Sequence, residues 1–314
     1  MPPVPRPDRS AARLGRVSTH CRPCRLPAAA GAAASAPSAG GSAPALKVYI
    51  SVDIEGSVGI AHWDEAAKSH GDYAEFRDRM TQEAVAACEG VLAVDPAAEI
   101  WVKDAHGSGR NILQEQLPRA CKLIRGWSGH PYAMVQELDG TFDACCFVGY
   151  HGHAAHPSNP LSHTNTGLWN RITLNDEDLS EYLQHAYAAA LEGVPVVFVS
   201  GDVGVCDIAR GTNPAVHTVA TNSGVGNSVM ALVHPQTARE EIQAGVQAAL
   251  ESDRTAHVLP RAERYTLRVR WVHHGNAYKY SFYPGASLED SQTTVFESCS
   301  YWDVITFLTF IEAG

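Results

Sequence analysis

Residues 48–56 read Val-Tyr-Ile-Ser-Val-Asp-Ile-Glu-Gly, and they leave the chain little choice of local structure. Val48, Ile50 and Val52 alternate with Tyr49, Ser51 and Asp53, the two-residue period of a strand, and Gly56 breaks the run. A buried first strand that empties into a turn is expected. Two carboxylates, Asp53 and Glu55, sit at its carboxyl end. Two apart on an extended backbone, they point to the same side, and anions held side by side repel unless a proton or a cation lies between them. A bound metal resolves that repulsion; acids solvated at a strand end are the ordinary alternative.

The same arrangement returns along the chain. Residues 98–102 (Ala-Glu-Ile-Trp-Val) predict a second strand that delivers Lys103-Asp104-Ala105-His106-Gly107. Residues 144–149 predict another, followed by Tyr150-His151-Gly152-His153, and residues 194–200 a further one, followed by Gly201-Asp202. Shorter strands are expected at 121–124 and 171–174. Helical spacing covers 64–90, where Tyr73, Phe76, Met80, Ala84 and Cys88 recur three and four apart and Gly90 reads as the stop. It also covers 179–191, with Glu181 in the first turn, and 237–250. Strands alternating with helices, with the chemistry at strand ends, predict an α/β fold: an open, mostly parallel sheet flanked by helices, whose sites form outside the carboxyl edge.

From residue 265 the pattern changes. Leu267, Val269 and Trp271 alternate with Arg268, Arg270 and Val272, residues 293–296 predict another strand, and 300–313 an amphipathic helix. A smaller C-terminal α+β unit over 263–314 is therefore expected beside an α/β metal-binding catalytic domain over 46–262. Residues 1–45, rich in Ala, Pro, Arg, Ser and Gly with a single acid, cannot bury enough surface to fold and read as a disordered low-complexity tail, a transit-like leader or an over-extended start. Their Cys21-x-x-Cys24 spacing lacks a second pair at finger distance.

The formal charge is −10 although residues 1–45 contribute six Arg against Asp8, so the remainder is more acidic still. Such a body is a poor partner for nucleic acid or an anionic membrane, and no apolar run approaches the roughly 18 residues of a membrane span. Adjacent Cys145 and Cys146 in an apolar run read as buried thiols, and a reduced, cytoplasmic setting follows.

The candidate ligands are Asp53, Glu55, His106, His151 and Glu181, with His163 on a nearby loop. In a chain with 15 histidines a single one says little; several falling directly after predicted strands say more. Imidazoles and carboxylates form an N/O donor set suited to Zn²⁺ and less selectively to Mn, Co or Ni. One shared carboxylate gives a two-metal site of the kind that polarises a carbonyl and delivers hydroxide at neutral pH.

Ser51-x-Asp53-x-Glu55-Gly56, Asp104-Ala105-His106, Gly149-Tyr150-His151, Ser162-His163, Asn175-Asp176 with Glu181, and Gly201-Asp202 together resemble, in order and approximate spacing, the zinc-dependent D-aminopeptidases of dipeptide-uptake operons, the DppA-like family. The similarity runs from residue 46 to the C-terminus. The resemblance implies two zinc ions per subunit, bridged by Asp53 and completed by Glu55, His106, His151 and Glu181, with His163 in the catalytic place. It further implies hydrolysis of N-terminal D-residues from short peptides or amides, and a homo-oligomer such as a decameric ring. Two departures stand out: His153 and His156 are extra histidines before His163, and residues 221–228 lack the basic residues expected there. The second departure points towards an amide or ester. The alternatives are accordingly a binuclear amidase or esterase on a non-peptide substrate, and a non-catalytic metal- or peptide-binding protein. Asp104 is expected to orient His106.

Overall fold

The alternation in the first strand serves two separate cores. In the computed structural model, which describes residues 44–226 and 228–312, β1 (Lys47–Val52) sends Val48, Ile50 and Val52 into one apolar cluster and Tyr49 into the other. The predicted tail lies outside the described residues, as does Asn227 within the 221–228 segment. The described residues form one compact unit.

After β1 come a single helical turn, α1 (Trp63–Ala66), and the long helix α2 (Tyr73–Val94). The helix expected over 64–90 is thus broken near its start and continues past Gly90. That glycine is a packing device and not a stop: a Cβ there would stand 2.5 Å from the Gln243 carbonyl oxygen and 2.9 Å from the Val246 Cβ of a later helix. The chain continues through β2 (Glu99–Asp104), β3 (Cys121–Ile124) and β4 (Ala144–Tyr150), which splits as β1 does, Cys146 and Val148 to one cluster and Cys145 and Phe147 to the other. Next come β5 (Trp169–Leu174), turned by left-handed Asn175 and Asp176 into β6 (Glu177–Asp178), then α3 (Glu181–Glu192).

β7 (Val196–Asp202) runs straight into a helix absent from the sequence reading, α4 (Val203–Thr212), because Asp202 caps it by accepting a hydrogen bond from the Val205 amide at 2.8 Å. The edge pair β8 (His217–Val225) and β9 (Val229–Leu232) precedes α5 (Pro235–Glu251), the helix that Gly90 admits. The chain closes with β10 (Tyr265–Trp271), α6 (His274–Tyr280), β11 (Ala286–Leu288), β12 (Thr293–Ser298) and α7 (Tyr301–Glu312).

The main sheet has the order β3-β2-β1-β4-β7-β8-β9, parallel except for the β8–β9 pair. An open, mostly parallel sheet flanked by helices is what the alternation of elements predicts. A second, antiparallel sheet has the order β11-β12-β10-β5-β6, so the C-terminal strands share it with a hairpin from the middle of the chain. Among the described residues no helix is long and apolar enough to cross a membrane.

Neighbouring carboxyl ends of β1 and β4 are pressed together main chain against main chain. The Asp53 amide donates to the Val148 carbonyl and the Gly56 amide to the Gly149 carbonyl, each at 2.9 Å. At Gly56 a Cβ would fall 1.7 Å from the Tyr150 carbonyl oxygen. Gly56→Ala is therefore expected to destabilise the fold by about 1–3 kcal/mol or more, the scale of overpacking. A thermal midpoint equal to that of the wild type is the result that contradicts this contact.

Candidate metal centre

The pairing β2-β1-β4 brings three strand ends to one edge of the sheet. Asp53 follows β1 directly, whereas Glu55 lies in a turn closed by the Ser57 amide on the Ile54 carbonyl (2.9 Å). The two acids thus converge through a bend and not by the alternation of a continuing strand. His106 follows β2, His151 follows β4, Glu181 opens α3, and His163 hangs from the loop between β4 and β5. All six expected residues meet. Asp53, Glu55, His151 and Glu181 are buried, His106 and His163 partly so.

They form two groups, Asp53–Glu55–His106 and His151–His163–Glu181, and within each group the potential ligand atoms lie within 4.8 Å of one another. Asp53 joins the groups. Its Oδ1 lies 3.5 Å from His106 Nδ1 and its Oδ2 lies 3.5 Å from His151 Nε2. His106 Nδ1 also faces Glu55 Oε2 at 3.1 Å, His151 Nε2 faces Glu181 Oε2 at 3.4 Å, and His163 Nε2 faces Glu181 Oε1 at 3.5 Å.

Backbone carbonyls set the imidazoles. His106 Nε2 lies 2.9 Å from the Ala66 oxygen, His151 Nδ1 2.9 Å from the Gly152 oxygen and His163 Nδ1 3.0 Å from the Leu161 oxygen. A carbonyl only accepts, so each of these nitrogens carries the proton and the other nitrogen of each ring is turned towards the carboxylates. Metal-ligating histidines are oriented by this kind of outer hydrogen bond. Asp53 Oδ2 and His151 Nε2 are moreover buried without a hydrogen-bond partner, an arrangement that costs free energy unless something joins them. The donor set therefore fits a divalent cation.

The electrostatics agree. Burial, reinforced by the Glu55 carboxylate, raises Asp53 well above the usual carboxylate range. Burial opposes ionisation of Glu55 and Glu181 as well, but the His106 imidazole holds the first well below its ordinary value, and His151 with His163 holds the second at about 2. Burial works against charge on His106 and His151, yet their carboxylate neighbours raise both well above the ordinary imidazole value. Without a cation, this cluster gathers protons onto its imidazoles; a divalent metal relieves the same repulsion and leaves the rings neutral.

Asp104 does not reach His106. It accepts from the Ile112 amide at 2.7 Å and from Asn111 Nδ2 at 2.7 Å, and Asn111 Nδ2 in turn donates to the His106 carbonyl (2.7 Å), so Asp104 ties down the loop after β2 and acts on the main chain only. Asp202 accepts from the Gly152 amide (2.9 Å) and from Ser158 Oγ (3.0 Å), bracing the turn that carries His151. Of the extra histidines, His156 bonds Ser158 Oγ at 2.8 Å and His153 packs edge-on against His156, away from the six-residue cluster.

A cavity of about 620 Å³ opens onto the cluster. Trp63, Trp127, His130 and Met134 line it together with Asn165 and Glu312, and among the described residues no Lys or Arg does. Trp63 meets the His163 ring edge-on at 5.2 Å, and the ring of His163 stacks on His151 at 4.5 Å. Trp127 is held by its indole N–H on the Gly107 carbonyl (2.8 Å) and by the buried Lys103 ammonium 3.9 Å from its ring centroid. None of these wall residues belongs to a motif, and no spacing or periodicity marks them in the chain.

Three comparisons bear on this geometry. A model of the D-aminopeptidase family, peptidase family M55, matches residues 46–310. A D-aminopeptidase of Bacillus subtilis (strain 168) is 29% identical over 250 residues, covering 80% of this chain and 90% of its own. The solved structure of the Zn-dependent D-aminopeptidase DppA from Bacillus subtilis, described as a self-compartmentalizing protease, superposes with a TM-score of 0.79 at 26% identity, covering 85% of this chain and 97% of that one. With a family match over most of its length and a site assembled from the motifs that pointed there, the chain belongs to the D-aminopeptidase family of metallohydrolases, M55.

Proposed function

We propose that this protein is a binuclear zinc aminopeptidase that removes N-terminal D-amino acids from short peptides or amides. One observation carries the two-metal reading: Asp53 stands between two three-residue ligand groups, with its Oδ2 and His151 Nε2 buried and unpartnered. Asp53 would be the shared ligand, Glu55 and His106 would hold one ion, and His151 and Glu181 the other. Zinc bound there supplies Lewis-acid polarisation of the scissile carbonyl and lowers the pKa of water towards neutrality.

The chain's own residues do the rest. The Leu161 carbonyl fixes the proton of His163 on Nδ1, which leaves Nε2 as an acceptor beside the cluster. From there it takes a proton from the attacking water and returns it to the leaving amine. Trp63, meeting the ring at a steep angle, and His151, stacked on it, both restrain its orientation. The aromatic wall excludes water from one flank of the substrate and accepts an apolar side chain. Assembly of copies into a closed ring accords with the self-compartmentalizing character of the Bacillus relative.

A second reading, a binuclear amidase or esterase on a non-peptide substrate, is favoured by one feature: among the described residues no Lys or Arg lines the cavity to meet a peptide carboxylate. Release of p-nitroaniline from D-Ala-p-nitroanilide and its L-counterpart separates the readings. The expected result is turnover of the D-substrate that a chelator abolishes and zinc restores. Activity on neither anilide, with metal bound, overturns the aminopeptidase reading.

A further inference from the structure

Glu312 ends α7, where a negative charge opposes the helix dipole. It is half-buried on the cavity wall. Its hydrogen-bond partner is Asn165, whose Nδ2 donates to Glu312 Oε2 at 3.3 Å. Asn165 is held in the left-handed region (φ 58°), and its backbone amide donates to Glu181 Oε1 at 2.5 Å, so a single residue connects this acid to the metal-ligand set. The Asn165 Oδ1 is buried and has no hydrogen-bond partner. A carboxylate and an amide oxygen with spare acceptor capacity thus stand together beside the cluster. An ammonium group, with three donors and no acceptor, satisfies both.

We propose that Glu312 and Asn165 form an ammonium-binding subsite that takes the free α-amino group of the substrate. The inference rests on the aminopeptidase reading for the identity of that amine. An α-amino nitrogen is two covalent bonds from the scissile carbon, so a substrate whose carbonyl lies against Glu181 and His163 keeps its amine close to the cluster, and Asn165 with Glu312 is an acceptor pair on the same cavity wall tied to Glu181 by one hydrogen bond. A lysine-type ammonium on a long stem is placed less well for so short a span. Burial, with the nearby Glu181 charge, pushes the Glu312 carboxyl up to about 7, and Asn165 opposes the shift; an arriving cation favours the ionised form further. Acylation of the amine abolishes both its charge and its extra donors. The subsite thereby accounts for selection of a free amino terminus.

The test compares zinc-loaded wild type with Glu312→Gln, which keeps the shape and removes the charge. Binding of D-alaninol and of N-acetyl-D-alaninol, which keep or mask the amine and lack a scissile carbonyl at the D-alanyl carbon, is measured by calorimetry, and turnover of D-Ala-p-nitroanilide alongside it. Wild type is expected to prefer the free amine. Glu312→Gln is expected to raise KM for the anilide about 10–100-fold, the scale of one charged hydrogen bond, with a much smaller change in kcat and unchanged zinc content. Undiminished preference of Glu312→Gln for D-alaninol over its acetylated form overturns the subsite. If wild type cleaves neither anilide, the aminopeptidase reading fails, and the binding comparison alone still decides whether Glu312 selects an amine. Should the Gln variant not fold, Glu312→Asp reads the same quantity, because its shorter carboxylate is expected to weaken D-alaninol and leave the acetylated compound unchanged.

Discussion

Alanine in place of His163 is expected to lower kcat by about 10²–10⁴-fold, the contribution of one positioned proton shuttle, and to leave the zinc content at the wild-type level. The expectation follows from how the ring is held. Its Nδ1 is committed to the Leu161 carbonyl, its face lies on His151 and its edge meets Trp63, so Nε2 has one direction to point. Geometry also groups this nitrogen with His151 and Glu181 as a conceivable ligand, and metal analysis of the variant separates the two roles. Loss of zinc together with activity makes His163 a ligand. Retention of both removes it from the reaction.

Asp53→Asn is expected to act on the metal itself. Loss of an outer partner of a ligand typically weakens metal binding 10–100-fold, and a carboxylate shared by two ligand groups should cost at least as much, with activity falling accordingly. The same substitution should stabilise the metal-free protein at neutral pH. Burial and Glu55 raise the Asp53 carboxyl well above its unfolded value, so between the two values the native state binds more protons and stability falls as pH rises. An uncharged amide escapes that penalty. Metal titration and the thermal midpoint of the chelated variants at pH 5 and pH 8 check both halves; undiminished metal affinity contradicts the bridging role, and a lower apo midpoint at pH 8 contradicts the electrostatic one.

The convergence of these residues was legible in the chain because most of the candidate ligands follow strands directly. Val48, Ile50 and Val52 specify β1 by period alone, and Asp53 comes next. His106 and His151 are read the same way from β2 and β4. What escaped was what depends on distant partners. Gly90 looks like a helix stop until α5 lies across it. α4 begins where the apolar run of β7 ends, and only the Asp202 cap marks the change. Asp104 resembles an orienting acid beside His106, but three donors at Asn111 and Ile112 claim it first. Asn165 and Glu312 are 147 positions apart and share no spacing rule; folding of α7 against the loop is what unites them.

The abutment of the Gly56 turn on Gly149 and Tyr150 has an evolutionary corollary. Since the loops bearing Asp53 and His151 are registered by peptide groups, the spacing between their ligands is inherited with the backbone trace and does not depend on the surrounding side chains. Sequence drift can then proceed around the centre while the fold that positions it persists, as the TM-score of 0.79 at 26% identity illustrates. The wall residues enjoy no such protection. Lineages of this family should therefore diverge first in what they admit to the cavity and last in how they hold the metal.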